Sequence, residues 1–88
     1  MDRVAVTLKI MPVSADTDLD AITEGIKNTV SKHPEMQLKG VEKRPIAFGL
    51  KAIEILLVLP DSSISSLEDE LTKIEGVASV EAGDVTLI

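Results

Sequence analysis

The stretch LKAIEILLVL, residues 50–59, is the most apolar segment of the chain and decides the fold. In an extended conformation, one face of this stretch carries four aliphatic side chains, those of Ile53, Ile55, Leu57 and Leu59. Leu56 and Val58 make the opposite face apolar as well, a pattern typical of a strand that is covered on both sides. We therefore predict a central β-strand here.

The first part of the chain predicts a strand followed by a helix. Polar and apolar residues alternate from Arg3 to Met11, as in a half-buried strand, and Pro12 ends the alternation. Thr17 and Asp20 form a capping pattern, a hydroxyl with a carboxylate three residues later. The helix that follows carries apolar residues at helical spacing and ends before Pro34: Leu19, Ile22, Ile26 and Val30.

Two further segments flank the central strand. Residues 36–43 carry a weaker strand pattern with a bulge expected near Gly40. Beyond the central strand, Ser65–Glu68 repeats the capping pattern and predicts the start of a second helix. Gly76 is placed to end that helix.

The predicted order of elements is β-α-β-β-α-β. The last strand is Val77–Ile88, interrupted at Gly83 and Asp84. Because each β-α-β half needs a right-handed crossover, both helices are expected on one face of a four-stranded antiparallel sheet. The fold class is therefore α+β, in the ferredoxin-like arrangement, with residues 1–88 as a single domain.

The composition narrows the classes of partner. The chain has 88 residues, is 44% hydrophobic and carries a net charge of −6. Nucleic-acid binders usually present a basic face, and those that bind single strands add stacking aromatics, so direct nucleic-acid binding is not expected. The acidic surface suits either a basic protein partner or solubility alone. No apolar run is long enough to span a bilayer and no signal peptide opens the chain, so we expect a cytoplasmic protein without membrane contact.

The sequence offers little for covalent chemistry or for a cofactor. Without cysteine and with one histidine, His33, thiolate zinc sites and Cys–His catalysis are excluded. Aspartates at alternate positions from Asp16 resemble the opening of a calcium loop, but Ala21 and Lys27 occupy its glycine and glutamate positions. No phosphate-binding glycine motif occurs. We therefore expect no metal site, no cofactor and no enzymatic activity, and an exposed loop position for His33.

Phe48 is the only aromatic residue of the chain, and it lies in a segment bounded by Pro45 and Gly49. One hypothesis makes it a plug of the core beneath the sheet. The other makes it an aromatic knob on a fixed loop, suited to a pocket on a partner protein. The sequence leaves both open.

This segment also carries a resemblance to a known family. The motif Pro-x-x-Phe-Gly-x-Lys-x-x-x-Ile, here Pro45 to Ile55, resembles the central motif of the exchange domain of translation elongation factor 1-beta. The opening residues 9–12 and the acidic segment 16–19 resemble that family's Lys-Pro segment and acidic helix start. The likeness covers essentially the whole chain and includes the predicted topology. Because the N-terminal extension of eukaryotic members is missing, the short archaeal form is expected.

The resemblance implies a guanine-nucleotide exchange factor that binds the GTPase elongation factor 1-alpha and speeds GDP release. It implies a partner-binding role for Phe48, held by Pro45 and Gly49. It implies the same role for Lys51, and the alternative for this residue is an ordinary solvent-facing position on the strand. Eukaryotic members carry a lysine before the final residue, aimed at the Mg²⁺ site. This chain has Leu87 there, so Leu87 and Ile88 are expected to make an apolar contact instead.

A second function class is compatible with the same fold. Small-molecule-sensing regulatory domains share it, and they pair edge to edge with the ligand at the seam. Dimerisation together with stabilisation by an amino acid would favour that class. A small hydrolase is a third hypothesis, but the sequence supplies no catalytic set for it.

Overall fold

The computed structural model describes residues 3–87, and the predicted order of elements is confirmed. Single turns at Ala47–Gly49 and Asp61–Ser63 join some of the longer elements. Neither helix within residues 3–87 is long and apolar enough to cross a membrane. The elements are β1 (Arg3–Pro12), α1 (Leu19–Ser31), β2 (Gln37–Pro45), β3 (Lys51–Pro60), α2 (Ile64–Thr72) and β4 (Val77–Leu87).

The four strands form one antiparallel sheet in the order β2-β3-β1-β4, with β1 and β3 in the centre. The register of β2 on β3 shifts between Leu38 and Gly40, which confirms the predicted bulge. The register of β4 on β1 shifts opposite the segment between Val6 and Leu8. The predicted interruption at Gly83 is therefore a bulge within one continuous strand.

The core is aliphatic and lies between the sheet and the two helices. Alternate residues of both central strands are buried, as the sequence predicts for Ile53, Ile55, Leu57 and Leu59. The helices contribute their apolar stripes to the same cluster, so both pack on one face of the sheet. The helix residues buried there are Ile22, Ile26, Val30, Leu67 and Leu71.

The prediction that β3 is covered on both faces is wrong. Leu56 is 42% exposed and Val58 is only half-buried, because both helices lie on the opposite face. Part of this open face carries an ion-pair network instead of a second layer. Arg44 is within 2.8 Å of Glu42 through Nη2 and within 2.9 Å of Glu54 through Nε.

Both helices begin differently from the predicted caps. Asp18, not Thr17, caps α1: its Oδ1 accepts hydrogen bonds from the backbone N–H of Asp20 at 3.0 Å and of Ala21 at 3.3 Å. The predicted cap Ser65 lies inside α2, which starts at Ile64 without a side-chain cap. The turn at Asp61–Ser63 runs directly into this helix, so its backbone already approaches the helical path.

His33 has a structural role that the sequence did not predict. Its ring is half-buried rather than freely exposed. Nε2 lies 2.7 Å from Oε2 of Glu70 on α2, and Nδ1 lies 3.3 Å from Oε1 of Glu35. The residue therefore joins the loop after α1 to the second helix.

Candidate functional site

The loop between β2 and β3 forms a tight tip at one end of the sheet. The backbone N–H of Ile46 donates to the carbonyl oxygen of Leu50 at 2.8 Å, and that of Leu50 donates to the carbonyl of Ala47 at 3.2 Å. Pro45 and Lys51 pair at the ends of the two strands that carry the tip. These bonds fix the backbone of the loop on a closed hairpin, so the positions from which its side chains project are set before any partner arrives.

Phe48 lies at the end of this tip and is 96% exposed. The hypothesis of a core plug is therefore wrong, and the aromatic ring projects into solvent. Burial of such a ring by a partner would contribute about 1.5–3 kcal/mol of binding free energy. Exposed aromatic anchors of this kind dominate the energetics of many protein interfaces.

The backbone of Phe48 is also unfavourable. Its φ of +62° and ψ of +30° lie in the left-handed region, and Gly49 follows with a φ of +76°. Glycine adopts this region readily, whereas a bulky L-residue does so at a cost of about 1–2 kcal/mol. Strained residues of this kind concentrate at functional sites. Both the conformation and the exposure of Phe48 therefore point to a role outside the fold.

The tip faces a second loop, residues 13–18, which connects β1 to α1. A hollow of about 320 Å³ separates the two loops. Gly49 and Lys51 line it on the tip side, while Pro12, Ser14, Ala15 and Leu19 line it on the other side. Lys51 is exposed at the first position of β3. The structure thus brings together Pro45, Phe48, Gly49 and Lys51, the four site residues predicted around the motif.

Leu87 lies at the opposite end of the molecule. It pairs with Val4 on β1, which pairs with Leu59 near the far end of β3. At the usual rise of a strand, the eight-residue separation between Lys51 and Leu59 corresponds to roughly 25 Å. Leu87 is 67% exposed, whereas Ile88 lies outside the described residues. A partner pocket that takes Phe48 therefore cannot also take Leu87.

An ion pair joins β2, close to the tip, to the first helix. Lys43 on β2 places Nζ 2.6 Å from Oδ1 of Asp20 in the first turn of α1. The hydrogen bond from Lys43 and its positive charge lower the pKa of the Asp20 carboxyl below its ordinary value. In the neighbouring loop, residues 13–18, the charged residues are Asp16 and Asp18, and both are exposed.

Val13 is a candidate contact residue that sequence reasoning missed. It is 64% exposed and directly follows β1, in the loop that faces the tip. The sequence places Val13 directly after Pro12. If the alternation of β1 continued, this position would face away from the core. A single apolar residue in a polar loop is too common to be identified without coordinates.

Comparison with protein families gives one match over nearly the whole chain. The family described as the EF-1 guanine nucleotide exchange domain matches residues 5–88. A protein named Elongation factor 1-beta from Archaeoglobus fulgidus is 41% identical, with all of both chains covered. Proteins of the same name from Methanosphaerula palustris and Methanothermobacter thermautotrophicus are 38% and 37% identical, with at least 96% of each chain covered.

Comparison with solved structures finds the same fold in more distant proteins. The ACT domain of a GTP pyrophosphokinase from Chlorobium tepidum has a TM-score of 0.67 and 19% identity, with 94% of this chain and 100% of that chain covered. The C-terminal domain of the MgtC protein from Mycobacterium tuberculosis has a TM-score of 0.65 and 17% identity, covering 94% and 86%. These likenesses concern the ferredoxin-like fold alone.

Proposed function

The chain belongs to the EF-1 guanine nucleotide exchange domain family, and on that premise we propose that it promotes GDP release from elongation factor 1-alpha. This GTPase carries aminoacyl-tRNA to the ribosome, and GTP rebinds after GDP has left. The chain is thus a guanine-nucleotide exchange factor of translation elongation. The proposal assigns residues 1–88 to one exchange domain that works in the cytoplasm by protein binding, without covalent catalysis of its own.

The observation that carries the proposed site is the exposed ring of Phe48 on a closed, strained tip. An apolar side chain on a backbone that is already ordered can enter a pocket of the GTPase with little further loss of backbone conformational entropy. Pro45 and Gly49 set the path of the backbone around it, and Lys51 borders the same surface. These four residues form the proposed contact at this end of the molecule.

The mechanism follows from thermodynamic linkage. If the exchange factor binds the nucleotide-free GTPase more tightly than the GDP-bound form, it weakens GDP binding by the same ratio. The GTPase retains GDP through its phosphate cradle and Mg²⁺, so a small shift of these elements is enough to release it. The proposal assigns the wedge that stabilises the shifted state to Phe48.

Leu87 is the second apolar contact in this proposal. Since it lies at the opposite end of the sheet from Phe48, it must meet a different part of the GTPase. An aliphatic side chain cannot compete with Mg²⁺ by charge, so its contribution is packing alone. The alternative of a small-molecule-sensing domain rests on fold likeness at 17–19% identity, which says nothing about ligands.

The test measures release of fluorescent GDP from elongation factor 1-alpha with and without this protein. The wild-type chain is expected to accelerate release, and Phe48→Ala to lower kcat/KM by about thirtyfold, as removal of an interface hot spot does. Leu56→Ala is the matched control, since it removes an exposed apolar side chain from the open face of the sheet.

The outcomes separate the two parts of the proposal. Absence of acceleration by the folded wild-type protein would contradict the choice of partner. Full activity of Phe48→Ala, with the wild type active, would contradict the role of the tip. Equal losses in Phe48→Ala and Leu56→Ala would show that loss of exposed apolar surface, rather than the tip, accounts for the effect.

A further inference from the structure

The exposed apolar residues of the described chain are not spread evenly. Leu56 lies on the open face of the sheet, and Val85 and Leu87 lie near the far end of β4. Phe48 and Val13, by contrast, lie on two loops that face each other across one hollow. This end of the molecule therefore presents two separate apolar points, of which the family motif accounts only for Phe48.

The loop that carries Val13 is held as firmly as the tip. The backbone N–H of Val13 donates to the carbonyl oxygen of Gly76 at 3.0 Å. The N–H of Ser14 donates to Oγ1 of Thr17 at 3.1 Å, and the N–H of Thr17 donates to the carbonyl of Ser14 at 3.3 Å. These bonds fix the backbone of the loop, so Val13 is held at its surface without further ordering on binding.

Gly76 allows this arrangement by its small size. A Cβ atom at position 76 would lie only 2.9 Å from Cγ2 of Thr17. The φ of Gly76 is +94°, which disfavours any residue other than glycine. The loop after β1 therefore packs directly on the backbone that leads into β4. Contact between two rigid segments gives Val13 a fixed position relative to the sheet and hence relative to the tip.

The charges around Val13 indicate the chemistry of the surface it would meet. Asp16 and Asp18 are exposed on the same loop. Behind the loop, Asp18 and Glu75 line a second hollow with Thr17, Ala21 and Gly76. Lys51 is the basic residue across the first hollow. An exposed apolar residue on a loop that also carries an exposed carboxylate complements an apolar surface that carries lysine or arginine.

We propose that Val13 is a third apolar contact with the GTPase, at the same end of the molecule as Phe48, and that Asp16 faces basic residues around that contact. This inference rests on the proposed function and adds a specificity element to it. The two loops bind as one bipartite surface: Phe48 and Val13 provide apolar area, and the acidic loop steers association and rejects partners with an acidic surface.

The test compares binding of four variants to nucleotide-free elongation factor 1-alpha by calorimetry and stopped-flow kinetics. Val13→Ser is expected to raise Kd by about three- to tenfold, as partial loss of a buried aliphatic contact does. Asp16→Lys is expected to slow association and to reduce its dependence on salt concentration. Phe48→Ala is the reference for a lost contact, and Leu56→Ser controls for loss of an exposed apolar residue.

The outcomes distinguish this inference from the proposed function. If the wild type binds and Phe48→Ala weakens binding, but Val13→Ser matches the wild type, the contact through Val13 is wrong and the proposed function stands. If wild type does not bind, the proposed function fails. Unfolding temperatures of all variants within a few degrees of wild type confirm that the measured changes concern the interface. If Val13→Ser instead loses its fold, Val13→Thr, which keeps the branched shape and adds a hydroxyl, replaces it in the same comparison.

Discussion

At the scale of the residue, both the side chain and the backbone of Phe48 are unfavourable for the stability of the fold. Its ring is left in water, and its backbone adopts a conformation that favours glycine. Natural proteins keep such unfavourable positions where function requires them. The motif singles out Phe48 in the sequence, but its solvent exposure and positive φ depend on how the hairpin closes, which no residue pattern specifies.

The strain at Phe48 predicts a difference between two substitutions. Phe48→Ala should leave the free energy of unfolding within about 0.5 kcal/mol of wild type, because the exposed ring adds little packing. Phe48→Gly should be more stable than Phe48→Ala by up to about 1 kcal/mol, since glycine accepts the positive φ. Both should lose exchange activity. Urea denaturation of the three proteins measures the difference. Lower stability of Phe48→Gly than of Phe48→Ala would show that the tip is not strained in solution.

At the scale of the element, the sequence predicts each strand and helix but not its surroundings. Alternation identified β1, and aliphatic density identified β3, because side-chain periodicity is a local property. The cap of α1 fell one residue from its predicted place, since Thr17 bonds to Ser14 and leaves the cap to Asp18. Coverage of Leu56 was predicted wrongly because an apolar side chain on a strand does not reveal whether another layer lies above it.

The helices cover only one face of the sheet, so substitutions at two neighbouring residues of β3 should lower stability by different amounts. Ile55 is fully buried between sheet and helices, whereas Leu56 points to the open face. Ile55→Ala should lower the free energy of unfolding by about 2–5 kcal/mol, because it leaves a cavity in the core. Leu56→Ala should cost less than about 1 kcal/mol. Chemical denaturation checks both values. Comparable losses would mean that a further layer, such as a second copy of the chain, covers the open face in solution.

At the scale of the whole molecule, the sheet separates two proposed contacts. The tip with Phe48 is at one end, and Leu87 is near the other, roughly 25 Å away along the strands. The sequence predicts both residues but not their separation, which follows from the register of three strands. The structure therefore turns a single predicted site into two proposed contacts on different parts of a partner.

This separation predicts that the two contacts act independently. Residues more than about 10 Å apart without shared partners usually have additive effects on free energy. Phe48→Ala and Leu87→Ala should therefore lower kcat/KM for GDP release by factors whose product equals the loss in the double variant. Single-turnover release from elongation factor 1-alpha measures all four proteins under the same conditions. A double variant no worse than Phe48→Ala, with each single variant impaired, would instead show that both ends act through one shared rearrangement of the GTPase. Wild-type activity of Leu87→Ala would exclude that residue from the interface and leave the proposed contacts at the end of the molecule that carries Phe48.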